Sequence, residues 1–582
     1  MSNLDDSLIK EIETDLSNQN FDIALSKLNP LISDDSSSPQ AVYLLAKIAF
    51  INGRLEAALS IIEDLIQTSG YEHEYINLHE EINNKISEIE LSNKFEEAHS
   101  RNEVFNVLKY GYQLLKYQNA PLKTHMILSE TLFSMGKTQL AHKHVLKALE
   151  LAPGNKDLLD NVISYLHYIP DTDQDLILHY AKMVKSRTYQ DYQENKNPSF
   201  THLDLNPDRK VLRVGFISGD FKSHALFLWI GNLFSKLKQC NLEVYCYCNN
   251  PEDHITTIWS RQATEWVNIM EMDDHTVAES IKASKIDVLV DLSGHTTLNR
   301  LGVFALKPSP IQISWLGQSG PIGVDGIDYI ISDKNLLLEG EEKFYFEKIY
   351  QMPDFYSSFN LDEACYLSRE LKPSPYKKNG YVSFGCFNNM IKLNTECFKT
   401  WIKILKSIPD SRLHLKNHGL ANKDIQTYVR KFFNKRGIDS SRLILEPASQ
   451  TRGEYLNSYY EVDICLDPFP IGGCTTSIDA LFIGIPIICL YGNKMPHRMT
   501  ASILKNLNYS ELISYNKDEY IQKAVELAHS KEQMDYYRTS IRDAFLKSNI
   551  TNSNKFAQDF SIALRQMWKE FIDARKYLSN SD

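Results

Sequence analysis

Over residues 1–190 apolar positions recur at helical spacing, and Gly and Pro are sparse. Two segments align, Asn20-Phe21-Asp-Ile-Ala24-Leu-Ser-Lys-Leu28 and Gly53-Arg-Leu55-Glu-Ala-Ala58-Leu-Ser-Ile-Ile62, placing Ala24 and Ala58 34 residues apart. Val107 and Ala141 repeat the step, and about fifteen extra residues near 70–100 lengthen a helix or loop between the pairs. A 34-residue helix–turn–helix period is the tetratricopeptide signature, and Leu151-Ala-Pro-Gly-Asn155 has the look of a repeat end. A generic helical bundle is the alternative. Such repeats stack into a solenoid that binds an extended peptide or a second copy, so they imply a protein partner, with self-association also open.

The pattern changes after a polar linker, 191–209. Short apolar runs alternate with helical segments: Val211–Ile217, Leu242–Cys248, Ile286–Asp291 and Ile311–Gly317, with a helix over Leu226–Lys238. A second series begins at Tyr381–Phe387 and continues through Arg412–Lys416 and Arg442–Leu445. This βαβα order predicts two Rossmann-like lobes with parallel sheets, over 210–375 and 376–550, followed by a C-terminal helix over 551–582. Ligands of open α/β sheets sit beyond the carboxyl ends of the strands, where Asp220, His224, Asp291, His295, Gly317, Asn388 and Lys392 fall.

The chain is organised around Val462–Leu490, which reads as strand, Pro/Gly loop, helix and strand. Gly472 and Gly473 let the backbone approach a ligand closely, Thr475 and Thr476 sit at the helix start, and Asp479 lies one turn further in, within reach of ribose hydroxyls. An ordinary βα turn with a threonine cap fits the same spacing.

A net charge of −11 argues against nucleic-acid binding through a basic surface. The nine cysteines all lie between Cys240 and Cys489 without metal-type pairing, as in a reduced, intracellular protein. The first residues lack a signal-peptide pattern and no apolar run reaches membrane-span length, so the expectation is a cytoplasmic protein.

Five stretches carry a resemblance: Val211–Trp229 (VLRVGFISGDFKSHALFLW), Ile286–Phe304 (IDVLVDLSGHTTLNRLGVF), Pro308–Gly317 (PSPIQISWLG), Phe384–Leu393 (FGCFNNMIKL) and Asp463–Val525, with Ala563-Leu-Arg-Gln-Met-Trp-Lys569 in the tail. Together they resemble bacterial members of the O-GlcNAc transferase/SPINDLY family, glycosyltransferase family 41. The resemblance implies an α/β GT-B fold behind an all-α tetratricopeptide solenoid. It also implies an inverting, metal-independent enzyme without cofactor that moves a sugar, with UDP-GlcNAc as first-choice donor, onto Ser or Thr of a protein. The acceptor expected at family level is a bacterial surface protein such as flagellin or an adhesin. Another UDP-hexose, GDP-fucose, or an inactive repeat scaffold are the alternatives.

By the same resemblance Lys392 meets the donor diphosphate, where a metal-free reaction needs a cation. His224 lies beside the sugar or caps the following helix, and Asp220 takes the acceptor proton, stabilises charge, or caps a turn. Asn389, Gln450, Arg452, Gly473, Cys474, Thr475, Thr476 and Asp479 form the donor side, Gln450 and Arg452 near the base ring. His295, Gly317 and Ser319 shape the acceptor or sugar side, with a structural role equally open for His295. Arg498 matches a family arginine and is also open to a structural role. Cys474 stands where animal members carry histidine, and a thiol cannot supply imidazole's hydrogen bonds. Gly317–Gly323 departs from the commoner Gly-Tyr-Pro-Gly-Thr-x-Gly loop, and both departures bear on sugar choice.

Overall fold

The computed structural model describes residues 2–32, 38–117, 121–184, 206–317, 320–361 and 371–579. Of the expected linker only 206–209 is described, and Ser319 lies outside the described residues.

Ten helices come first: α1 Ser2–Ser17, α2 Phe21–Ile32, α3 Pro39–Ile51, α4 Leu55–Ser69, α5 His73–Ser100, α6 Val104–Leu114, α7 Leu122–Ser134, α8 Thr138–Leu151, α9 Lys156–Tyr168 and α10 Gln174–Met183. The surplus between the two repeat pairs is taken up by α5, a single helix of 28 residues. Ala24, Ala58 and Ala141 are fully buried and Val107 nearly so; small side chains at the aligned positions let paired helices approach. The backbone repeats too. Gln19 (φ 62°) and Gly53 (φ 74°) are left-handed residues 34 apart, and so are Asn102 (φ 55°) and Gly136 (φ 71°). Each turns the chain between the two helices of a pair, ending the first with the conformation that closes a helix C-terminus.

The chain divides into two compact units, 1–124 and 125–582. In the first, Ala46, Ala49, Ala58, Ile62, Leu65, Tyr75, Leu78 and Ile82 form one continuous core beneath α3, α4 and α5. The second unit holds the later repeats together with both sheets.

The first sheet contains β1 Leu212–Ser218, β2 Leu242–Cys248, β3 Glu265–Asn268, β4 Val288–Asp291, β5 Ile311–Ser314, β6 Tyr329–Asp333 and β7 Lys348–Met352. Its order is β3-β2-β1-β4-β5-β6-β7. The second contains β8 Ser383–Cys386, β9 Arg412–Lys416, β10 Leu443–Glu446, β11 Ile464–Leu466, β12 Ile487–Leu490 and β13 Ile513–Ser514, in the order β10-β9-β8-β11-β12-β13. Every pairing is parallel. In both sheets the order reverses beside the first strand, between β1 and β4 and between β8 and β11, and that crevice is where doubly wound sheets bind ligands.

Two features differ from the sequence reading. The helix expected over Leu226–Lys238 is two, Ala225–Ile230 and Leu233–Gln239, broken at Gly231 and Asn232. Strands β3, β7 and β13 escaped notice because they are short or at sheet edges, where exposure blurs the apolar run; β3 is exposed at both ends, while β6, buried between β5 and β7, was also missed. The C-terminal helix, Ser553–Ser579, packs on the first lobe. Trp568 Nε1–H donates to Asn206 O at 3.0 Å, Arg565 caps the carbonyls of Arg209 and Lys210, and Phe560 stacks on Trp315.

The later repeats are pinned to the first lobe by buried hydrogen bonds around His295. His295 Nδ1 lies 2.7 Å from Asp160 Oδ1 of α9, its Nε2 faces Ile322 O at 2.9 Å, and Asn299 donates to Asp160 Oδ2. His497 Nε2 similarly donates to His167 O at the end of α9, tying it to the second lobe.

Candidate functional site

At the end of β1 the chain turns through Gly219 into Asp220, and His224 caps the helix Ala225–Ile230 by accepting the Leu226 amide on Nδ1 at 3.3 Å. Accepting there makes Nδ1 unprotonated, so the neutral ring carries its proton on Nε2. Asp220 Oδ2 lies 3.7 Å from the same Nδ1, and Lys222 Nζ lies 3.8 Å from Oδ1. Desolvation in the cleft lowers the His224 pKa, with Asp220 opposing it and Lys222 reinforcing it. The folded value lies below the ordinary 6.5, so the unfolded chain takes up this proton first, and the stability His224 contributes is lost as pH falls below 6.5. Replacing His224 by Asn, which can keep the cap, is expected to flatten the fall of melting temperature as pH drops below about 6.5; an unchanged slope would exclude His224 as a source.

From the second lobe, β8 runs into Asn388 and Asn389. Asn389 caps the short turn Met390–Lys392 through the Ile391 amide. That turn aims the Lys392 ammonium at the Pro/Gly loop, where Nζ donates to Gly472 O at 2.7 Å. Burial pushes the Lys392 pKa down, while Asp467 and Cys474 pull it back up. Asp467, at the end of β11, accepts the Gly473 amide at 2.7 Å, and burial pushes its pKa up to about 6. Above that value it is a carboxylate facing Lys392. A Cβ on Gly472 would collide with this carboxylate and one on Gly473 with Ser477 Oγ, so the two glycines let the loop fold against its own side chains.

The loop delivers Cys474, Thr475 and Thr476 to the head of the helix Thr475–Ile483. The Cys474 thiol is held protonated, its pKa raised by burial to about 11, and Sγ lies 3.8 Å from Tyr356 Oη. Trp229 Nε1–H donates to Thr475 Oγ1 at 2.9 Å, and Thr476 Oγ1–H donates to Asn388 Oδ1 at 2.9 Å. Asp479, 1% exposed, receives both arms of the Arg452 guanidinium, so the proposed ribose-side and base-side residues are paired with each other.

One cavity of about 390 Å³ joins the two lobes, walled by Asp220, His224, Trp229, Thr296, Thr297, Gly317, Tyr356, Cys474 and Thr475 among others. Lys392 is joined to it through the loop carrying Cys474. Gln450 is exposed ahead of the helix Arg452–Ser458. His295 is set in the core; its neighbours Thr296 and Thr297 reach the cavity instead. Arg498 is committed to Glu341 through two bonds of 2.6 Å, and Arg300 to Asp274. Trp229 and Tyr356, neither of them among the site residues read from the sequence, bring first-lobe side chains onto consecutive second-lobe residues. Only the apolar Leu-Trp-Ile of the first helix hinted at the former.

Among the described residues no group of three or more His, Cys, Asp or Glu is placed to hold a metal ion, and no helix is long and apolar enough to cross a membrane.

Comparison with known proteins accords with this geometry. The chain is 26% identical over 437 residues to the probable UDP-N-acetylglucosamine–peptide N-acetylglucosaminyltransferase SPINDLY of Petunia hybrida, covering 73% of this chain and 45% of the relative. It is 28% identical over 390 residues to the Arabidopsis thaliana protein SEC, covering 64% of this chain and 39% of the relative. The chain thus spans less than half the length of these curated relatives. The solved structure of a mutant O-GlcNAc transferase from Thermobaculum terrenum superposes with a TM-score of 0.73 at 25% identity, covering 93% of this chain and 99% of that one, and its likeness gives the two sheets as the lobes of a GT-B fold. The family model for glycosyl transferase family 41 matches residues 181–367 and 375–560. With well over half its length so matched, and its crevice formed at the two switch points, the chain belongs to glycosyl transferase family 41.

Proposed function

We propose that this chain is an inverting, metal-independent protein O-glycosyltransferase that uses UDP-GlcNAc. The observation that carries the reading is the cavity itself: Asp220 and His224 on one wall, and on the other the head of a helix, with Thr475 and the Lys392–Asp467 pair at its root. The acceptor Ser or Thr oxygen attacks the sugar C1 as the bond from C1 to the diphosphate oxygen breaks, and the acceptor proton passes to Asp220, directly or through water. Charge growing on the departing diphosphate meets the Lys392 ammonium, the first amides of the helix Thr475–Ile483 and the Thr475 hydroxyl. The Nε2–H of neutral His224 donates to a sugar hydroxyl. Positioning supplies much of the rate, since acceptor and donor meet in one crevice. Repeats α7–α10, pinned by His295 and His497, would steer a polypeptide toward it.

A second reading, a donor other than UDP-GlcNAc, is favoured by Cys474. Its protonated thiol, 3.8 Å from Tyr356 Oη, cannot supply a phosphate or sugar with the hydrogen bonds of an imidazole. Titrating the protein with UDP-GlcNAc, UDP-glucose, UDP-galactose and GDP-fucose separates the two. Saturable binding and turnover with UDP-GlcNAc alone supports the first; selective binding of another donor transfers the activity to it. No binding by a folded chain would refute the transferase and leave a peptide-binding scaffold.

A further inference from the structure

Resting on the transferase reading, we infer that Trp229 is a positioning residue that orients the Thr475 hydroxyl proton toward the donor diphosphate, so that the first lobe tunes an anion contact belonging to the second.

The argument is one of donors and acceptors. An indole N–H only donates, so in the 2.9 Å bond between Trp229 Nε1 and Thr475 Oγ1 the threonine oxygen must accept. Its single proton is then left for another acceptor. Among the described residues Trp229 is the one partner of this hydroxyl, and Thr475 lies on the cavity wall. An oxygen that accepts one hydrogen bond becomes a better donor in the next, which suits it to a charged phosphate oxygen. Its neighbour has the opposite polarity. Thr476 gives its proton to the Asn388 Oδ1 carbonyl, and Asn388 is held in that orientation by its amide group lying 3.7 Å from Cys386 Sγ. The Thr476 side chain therefore offers lone pairs only, and an anion is drawn to Thr475.

Trp229 is rigidly seated for this task. It is 5% exposed, tilted against Phe355 and edge-on to Phe359, both with centroids 5.8 Å away. Because the indole belongs to the first lobe and the hydroxyl to the second, the contact exists only when the lobes hold their present separation. Donor affinity and lobe arrangement are thereby linked.

The test is calorimetric titration of the full chain with UDP and GDP, and with the matching nucleoside of whichever diphosphate the wild type binds. Trp229→Phe keeps the aromatic packing and deletes the donor. It is expected to weaken nucleoside diphosphate binding about 5- to 10-fold while leaving the nucleoside unchanged, the size of one modest hydrogen bond. Thr475→Val should do the same, adding Trp229→Phe to it should cost nothing more, and Thr475→Ser should stay near wild type. A purely structural role would weaken nucleoside and diphosphate alike and so overturn the proposal. So would wild-type diphosphate affinity in Trp229→Phe, or losses that multiply in the double variant. A wild type that binds neither diphosphate refutes the transferase reading itself, and this inference with it.

Discussion

Replacing Lys392 by Ala is expected to cut the rate of sugar transfer by about 10²- to 10³-fold, the usual cost of removing one preorganised group that meets charge in the transition state. The cost is electrostatic. Lys392 is held in place by Gly472 O, with the Asp467 carboxylate acting on it through space, in surroundings that already lower its pKa, so its charge is poorly solvated and free to stabilise an anion arriving in the crevice. No reorganisation is needed at the moment of transfer. The fold should survive, because the Asp467 carboxylate keeps the Gly473 amide and, with the lowering influence of Lys392 removed, takes up a proton more readily. The measurement is single-turnover transfer to an acceptor peptide, with circular dichroism as a fold control. Transfer within about 3-fold of wild type would remove Lys392 from the mechanism.

The second large effect is on stability. Arg452→Met should destabilise the second unit by about 3 kcal/mol, because it strands the Asp479 carboxylate, 1% exposed, without a counter-charge. Burial already pushes the Asp479 pKa up and Arg452 pulls it down, so removing the arginine leaves only the penalty. Asp479→Asn should cost less, about 1 kcal/mol, since the Arg452 side chain is 24% exposed and water can solvate its charge. Combining Arg452→Met with Asp479→Leu, which removes both charges together, should recover most of the loss. Urea denaturation followed by intrinsic fluorescence reads all three; equal losses from both single variants would mean that the burial asymmetry does not govern the pair.

Much of the architecture was legible because it is local. The 34-residue step from Ala24 to Ala58 recurs as buried positions and as left-handed turns at Gln19 and Gly53, since a helical hairpin repeats its chemistry along with its geometry. Runs such as Leu242–Cys248 and Arg412–Lys416 are strands within the bounds read from the sequence, being buried segments between turns. The loop from Asp467 to Thr475 announced itself by glycines before a helix. Strand β7 was not legible, because at the sheet edge its residues are half exposed and show no apolar run.

What sequence alone determined is the helical repeats, the two parallel α/β lobes that follow them and the set of polar residues that gather at strand ends. These follow from periodicity and backbone preference, which act over a few residues. The strand order and its two switch points came with the fold. Tertiary structure decided which of those polar groups face the crevice and with what polarity. His295 and Thr297 are two residues apart, yet one is locked to Asp160 in the core and the other walls the cavity. Thr475 and Thr476 are adjacent and identical, yet Trp229 makes the first an acceptor and Asn388 makes the second a donor. The partners lie 246 and 88 residues away in the chain. A hydroxyl or an imidazole has no fixed role of its own; its proton goes where the fold puts an acceptor, and that placement is settled only when distant strands close into one crevice.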